Sequence, residues 1–476
     1  MNWSVLQSRA KSRLTASGVV PEGRAFLGLA VPLATAQVAQ FAVGFVDTLM
    51  MGHLNTASLA AGGLASTTFQ MLLTIVSGFV MSVGVLAAEA YGSEKKKRLT
   101  GLARQGLWLT LLLAVPLTLL LLQMSPILEF LGQSEQVRQL SQHYFSWISI
   151  GVLPALGFAM LRGYVSAFSL ANVVTVIVML GTGFNIGCNY VLGFGKLGFP
   201  RMELAGFGLG SSLSLWLMFG LFAAYILRHP ELNQYRFWRG RQHPDMAILR
   251  RLVAIGLPMA VTFTLELGLF LAVSYMAGSL GTEVLAAHQI AFQTMALIFM
   301  VPIGMSQAVT TRVGLWHGRK SRRGVRRAGL VAIAAAVLFL AGCAIALSHY
   351  RAFMVGLFID MRDPQNAPVI AIAMSLLLIA AIGQTLDGIQ RVAMSALYGL
   401  QDTRVPMIMS AIAFWGIGLP IGYLLGFRLG WGAAGLWVGQ YMGVAIAGII
   451  FLWRFCKLTS HKRRSQTLIT NADHKR

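Results

Sequence analysis

The sequence predicts an all-α polytopic membrane protein: twelve transmembrane helices in two six-helix lobes, related by a pseudo-twofold axis, around a central cavity. Three observations predict it. Of the 476 residues, 56% are hydrophobic and 11% charged, with a mean hydropathy of +0.68. The apolar residues fall into about a dozen runs of roughly 20, the length that crosses a bilayer as helix. Lys and Arg are distributed unevenly about those runs, and the first run returns later in the chain.

The return keeps one offset. Val31 to Gly63 reads VPLATAQVAQFAVGFVDTLMMGHLNTASLAAGG, and Leu257 to Gln289 reads LPMAVTFTLELGLFLAVSYMAGSLGTEVLAAHQ. Without a gap, Pro32 falls on Pro258, Gly52 on Gly278, Thr56 on Thr282 and Leu59-Ala60-Ala61 on Leu285-Ala286-Ala287. The register holds at Gly78 with Gly304 and at Gly92 with Gly318, each before a basic loop. A single offset sustained so far marks a duplicated membrane unit. The copies differ where charge is costly: Asp47 falls on Val273, and Glu266 on Gln40.

Span one, about 25–51, follows a mixed basic stretch and carries Pro32 and Asp47. Its apolar run continues into the repeated segment, so a cleaved signal peptide is not expected. Spans two (about 58–88) and three (about 101–123) flank the basic loop Lys95 to Arg98. Spans four (about 141–163), five (about 171–194) and six (about 205–227) bring Pro154, the pair Asn185 and Asn189, and the cluster Gly206, Gly208 and Gly210. Spans seven (about 249–278) and eight (about 284–311) carry Pro258, Glu266 and Pro302. Spans nine (about 327–348), ten (about 367–399), eleven (about 405–427) and twelve (about 432–455) complete the second copy.

Continuous apolar runs of this kind fold as helix, because lipid offers the backbone no hydrogen-bond partner. Glycines let helices approach closely, and internal prolines such as Pro116 and Pro420 kink them. Tyr190-Val-Leu192-Gly193-Phe194 is echoed by Tyr423-Leu-Leu425-Gly426-Phe427, so the second half of each copy also repeats. The expected lobes are 25–228 and 249–456, joined by a cytoplasmic linker, 229–248, and followed by a basic tail, 457–476. Each lobe has an even number of spans, so both enter the membrane in one direction.

The charge of +22 does not signal nucleic-acid binding, because the cations sit at the ends of apolar runs and not on one soluble face. All but six of the 38 Lys and Arg fall on one side when alternate connections are taken together. The exceptions are Arg138, Lys196, Arg201, Arg351, Arg362 and Arg428. The positive-inside rule then places both termini in the cytoplasm. Cys188, Cys343 and Cys456 show no ligand-like spacing and are expected to be small packing residues. There is no G-x-x-x-x-G-K-[ST] loop, no Ser/His/Asp set and no zinc-type spacing. No enzyme activity and no cofactor are expected, and an ion gradient must supply the energy for any transport.

Three of the 16 acidic residues lie deep in spans: Asp47, Glu266 and Asp387. A carboxylate at that depth costs several kcal/mol unless it is paired, solvated or protonated, which makes each a functional candidate. Such a group can take up a proton or a Na⁺ ion on one side and release it on the other. Arg391, four residues after Asp387, shares its helix face, and a structural salt bridge between them is the plain alternative. Asn185 and Asn189 also share a face, and with Ser211 they offer neutral polar groups around Asp47 or, equally, a helix–helix hydrogen bond. Glu266 and Asp387 are the Na⁺ candidates. Candidates for a substrate wall are Gln40, Phe69, Gln70, Phe292, Met295 and Gln384, since aromatic faces attract organic cations and Met adapts its shape.

At these residues the chain resembles the multidrug and toxin extrusion (MATE) family, in particular its NorM-like bacterial branch, from about 25 to 456. The marks are Val46-Asp47-Thr48 leading to Met51-Gly52-His53-Leu54; Gln70; Leu265-Glu266; Ala286-Ala287-His288-Gln289; and Asp387 followed by Gly399, Asp402-Thr403-Arg404 and Pro406. The resemblance implies an antiporter, expected to be monomeric, in a bacterial inner membrane. It would export hydrophobic, mostly cationic drugs in exchange for Na⁺ or H⁺, with membrane lipids around it. It places one cation site at Glu266 and Asp387 and another at Asp47 with Asn185, Asn189 and Ser211. Where some family members carry an acid, this chain has Asn189, so its first lobe offers one carboxylate. A lipid-linked-precursor flippase of the same superfamily is the alternative. Such a protein would favour deep cations, whereas the deep groups found here are acidic, with Arg391 the main exception.

Overall fold

The computed structural model describes residues 18–234 and 243–460. Among the described residues, twelve helices are long and apolar enough to cross a membrane: α1 (Val19–Gly52), α2 (Thr56–Gly92), α3 (Lys96–Leu122), α4 (Glu135–Ala167), α5 (Ala171–Phe194) and α6 (Glu203–Arg228), then α7 (Met246–Ser279), α8 (Thr282–Gly318), α9 (Arg322–Gly356), α10 (Pro364–Gly399), α11 (Arg404–Arg428) and α12 (Gly432–Thr459). Each predicted span coincides with one of them. Most run several residues past the apolar segment, because polar caps let the helix continue into water. Asn55 accepts from Ser58 N at 2.7 Å, Asp245 from Ala247 N at 2.9 Å and Ser321 from Gly324 N at 3.2 Å.

Periodicity did not predict the interruptions. A 3₁₀ turn, Ser149–Gly151, breaks α4 just before Pro154. Two π-helical stretches, Ala411–Gly418 and Leu424–Arg428, flank Pro420 in α11. Proline has no N–H to donate, and a widened ladder is one way a helix absorbs that loss. Of the expected linker, the described part holds a short helix, Pro230–Asn233, whose Glu231 accepts from Tyr91 at 3.0 Å. Residues 235–242 of that linker, the tail from 461 and the basic stretch 1–17 lie outside the described residues.

The lobes meet through α1 on α8 and α2 on α7, which are the same contact under exchange of the two copies. The glycines show how closely. A Cβ at Gly78 would lie 2.6 Å from Ala260 Cα, and one at Gly304 would overlap Ala34 Cα. Gly304 is the counterpart of Gly78, and Ala260 that of Ala34. A Cβ at Gly92 would strike the Leu315 carbonyl, and one at Gly318 the Glu89 carbonyl, again a symmetric pair. The duplicated register is thus realised as a pseudo-twofold axis passing between α2 and α8.

Direct polar links join the lobes at the same, basic end. Gln401 Nε2 donates to Glu89 at 2.8 Å. In the first turn of α1, Glu22 receives Arg312 Nε at 2.8 Å, Arg312 Nη2 at 2.7 Å and Trp316 Nε1 at 2.9 Å. Both partners of this ion pair are almost wholly buried, Glu22 at 1% exposure and Arg312 at 2%. Glu22 lies before the apolar run of span one, and its burial comes from the packing of α1 against α8.

Candidate functional site

In the second lobe, α7 contributes Glu266, and α10 contributes Gln384, Asp387 and Arg391 at helical spacing along one face. Glu266 and Asp387 are buried. Arg391 forms its ion pair with Glu266, and the expected same-helix bridge to Asp387 is not made. The long guanidinium stem reaches across to α7 and stacks over Phe263 and Phe299, 5.8 and 5.3 Å from the ring centroids. There it gains a carboxylate and two aromatic faces together. Asp387 is left without a hydrogen bond or ion pair among the described residues. The cluster therefore carries two carboxylates and one guanidinium, a formal charge of minus one, which matches one monovalent cation or one proton.

In the first lobe, Asn189 Nδ2 donates to Asp47 Oδ1 at 2.8 Å and to Asn185 Oδ1 at 3.1 Å. Asn185 Nδ2 donates on to Ser211 Oγ at 3.1 Å. The four residues named from sequence thus form one chain across α1, α5 and α6. Asn189 Oδ1 is buried and receives no hydrogen bond. With Asp47 it offers the oxygen donors that a hard cation takes.

The cluster Gly206, Gly208 and Gly210 makes room for this arrangement. A Cβ at Gly206 would lie 2.6 Å from the Leu192 carbonyl carbon, one at Gly208 would lie 2.7 Å from the Tyr144 carbonyl oxygen, and one at Gly210 would strike Asn189 Oδ1. Gly210→Ala should therefore cost about 1–3 kcal/mol of stability through overpacking and lower export, read by thermal unfolding and dye efflux. Gly183→Ala, on α5 where an added Cβ meets nothing within 4 Å, should do neither.

The substrate-wall candidates separate into two groups. Gln40 and Phe292 are part-exposed and Gln70 is exposed. Phe69 packs inside the first lobe instead of lining an open wall. Met295 and Gln384 are also buried, with Gln384 Nε2 donating to the Met295 carbonyl at 3.0 Å. That bond ties α8 to α10 behind the carboxylates.

Several polar contacts within the spans carry no signal in the spacing of the sequence. Trp437 Nε1 donates to His288 Nδ1 at 3.0 Å, and His288 Nε2 lies 2.8 Å from Ser274 Oγ. Indole nitrogen only donates, so Nδ1 must carry the lone pair and Nε2 the hydrogen. Arg162 on α4 is a second deep arginine, with Nη1 donating to Gln37 Oε1 at 2.9 Å. The charge placement sets it among the cations at the cytoplasmic end of span four.

Twelve spans in two related lobes, with a part-buried carboxylate, Asp47, in the first and two buried ones, Glu266 and Asp387, in the second, define a polytopic membrane transporter. The chain matches the MatE family model over residues 32–191 and again over 258–424, starting at the paired prolines Pro32 and Pro258. It is 49% identical to a probable multidrug resistance protein NorM of Synechococcus sp., covering 93% of this chain and 96% of that one. It is 36% identical to the multidrug resistance protein NorM of Burkholderia vietnamiensis, covering 91% and 93%. Among solved structures, a MATE in the straight conformation superposes with a TM-score of 0.84 at 19% identity, covering 94% and 97%. The eukaryotic MATE transporter AtDTX14 superposes with a TM-score of 0.82 at 18% identity, covering 93% and 97%. The protein belongs to the MATE family of multidrug efflux transporters, in its NorM-like branch.

Proposed function

We propose that the protein is a secondary antiporter that exports hydrophobic, mostly cationic compounds in exchange for Na⁺ or H⁺ by alternating access. The observation that carries this reading is Asp387, a buried carboxylate without an ion-pair partner beside the neutralised Glu266–Arg391 pair. In this reading Glu266 and Asp387 hold the ion in the second lobe, and Asp47 and Asn189 a second one in the first. Residues 25–228 and 249–456 rock against each other as units.

The basic end is the cytoplasmic one by the positive-inside rule, which puts both termini inside a bacterial inner membrane. The close contacts at Gly78, Gly92, Gly304 and Gly318 then seal the cytoplasmic side, and the conformation is outward-facing. A monomer suffices, because both cation sites lie within one chain. Flippase activity on a lipid pyrophosphate is the weaker reading, since Arg391 is already held by Glu266.

The test is efflux of a fluorescent organic cation from proteoliposomes with Na⁺ and pH gradients imposed separately. One gradient should drive accumulation and its collapse should abolish it. Equal accumulation with neither gradient would overturn the antiport reading.

A further inference from the structure

Arg162 and Arg391 occupy matching places in the two lobes. Each lies on the fourth helix of its lobe, and each is followed four residues later by Ser-Ala (Ser166-Ala167 and Ser395-Ala396). Each also reaches the first helix of its lobe at corresponding positions. Arg391 stacks over Phe263 and pairs with Glu266; Arg162 donates to Gln37, which is the counterpart of Phe263. The counterpart of Glu266, however, is Gln40. The first lobe keeps the base and lacks the acid.

Arg162 consequently makes one hydrogen bond and no ion pair among the described residues, with Phe158 beneath it at 5.8 Å. A guanidinium has five N–H donors in a planar fork, and an uncompensated one inside a span is costly. Its position is informative. Gln37 is one turn beyond Ala34, which packs against Gly304 of the other lobe, and one turn before Gln40. Arg162 is part-exposed there, one turn along α1 from the contact that joins the lobes.

We propose that Arg162 with Gln37 is an anion subsite that takes the carboxylate of a zwitterionic passenger, while the acidic clusters face its cationic end. The inference rests on the multidrug reading above and deepens it. One lone guanidinium among net acidic groups suits a monoanion, and the fork matches a carboxylate bidentately. A phosphomonoester, with more charge, would meet repulsion from Asp47 and the second-lobe cluster. The first lobe therefore adds a preference set by the passenger's anionic group to the coupling that the carboxylates carry.

The test uses two dyes that differ at one group: a rhodamine with a free carboxylate and its ethyl ester, both cationic at the xanthene. Each is titrated against the purified full-length protein by fluorescence anisotropy. Arg162→Gln should reduce the carboxylate-to-ester affinity ratio by about ten- to a hundredfold, the range of one hydrogen bond to a charged group. Arg162→Lys should give an intermediate ratio. Should Arg162→Gln fail to fold, Gln37→Glu supplies an internal carboxylate to Arg162 and should lower the same ratio. An unchanged ratio in the variants overturns the inference alone. Absence of binding of both dyes to the wild type overturns it together with the multidrug reading.

Discussion

Asp387→Asn is expected to fold and insert normally and to lose drug accumulation. One monovalent charge moving down 100 mV is worth about 2.3 kcal/mol, enough for a gradient of roughly fifty-fold. Without its titrating oxygen the second lobe cannot take up that charge, and the ratio should fall to near one. The substitution is clean because Asp387 has no ion-pair partner among the described residues to orphan. Glu266→Gln should also stop export, but for two mixed reasons. It leaves the Arg391 guanidinium unpaired among Phe263 and Phe299, a loss that costs about 3–5 kcal/mol for a buried pair and should lower yield and melting temperature. Efflux assays on both variants, set beside their thermal unfolding, separate the two effects. Wild-type accumulation by a well-folded Asp387→Asn protein would remove this carboxylate from the coupling step.

The fold was legible because a bilayer constrains sequence so strongly. Lipid-crossing helices need long apolar runs, and the 226-residue register between Pro32 and Pro258 announces two copies. The carboxylates Asp47, Glu266 and Asp387 stood out for the same reason, as charges where charge is expensive. Partners were harder to read. Spacing favoured Arg391 with Asp387 on its own helix, but spacing is silent about a neighbouring helix, and Glu266 on α7 won the contact. Glu22 precedes the apolar run and carries no sequence signal of its own; the docking of α1 on α8 buries it. Arg162 counts with the cations at the cytoplasmic end of span four in the sequence, because its contact with Gln37 on α1 is a tertiary one that spacing does not show. Gly210 looked like one more packing glycine until the Asn189 amide appeared against it.

Opening the basic end requires Glu22 and Arg312 to part, and these two residues carry the second large effect. The ion pair has no twin: the counterparts of Glu22 and Arg312 are Ile248 and Leu86, so the pseudo-twofold axis does not repeat it. Arg312→Met leaves the Glu22 carboxylate buried with only Trp316 as donor. Breaking a buried pair from one side costs about 3–5 kcal/mol, and that cost falls on the closed arrangement alone, since the separated carboxylate is hydrated. The balance between closed and open basic ends should shift by about two to four decades. Spin labels at Ser93 and Lys320, just beyond the ends of α2 and α8, read that balance as a distance distribution. Wild-type protein should give one short distance and Arg312→Met a longer, broader one. The double variant Glu22→Leu with Arg312→Met removes both charges, should recover the short distance, and should exchange between states more slowly because no hydration now assists separation. A single variant with the wild-type distribution would mean that the glycine contacts hold the seam without help from the ion pair.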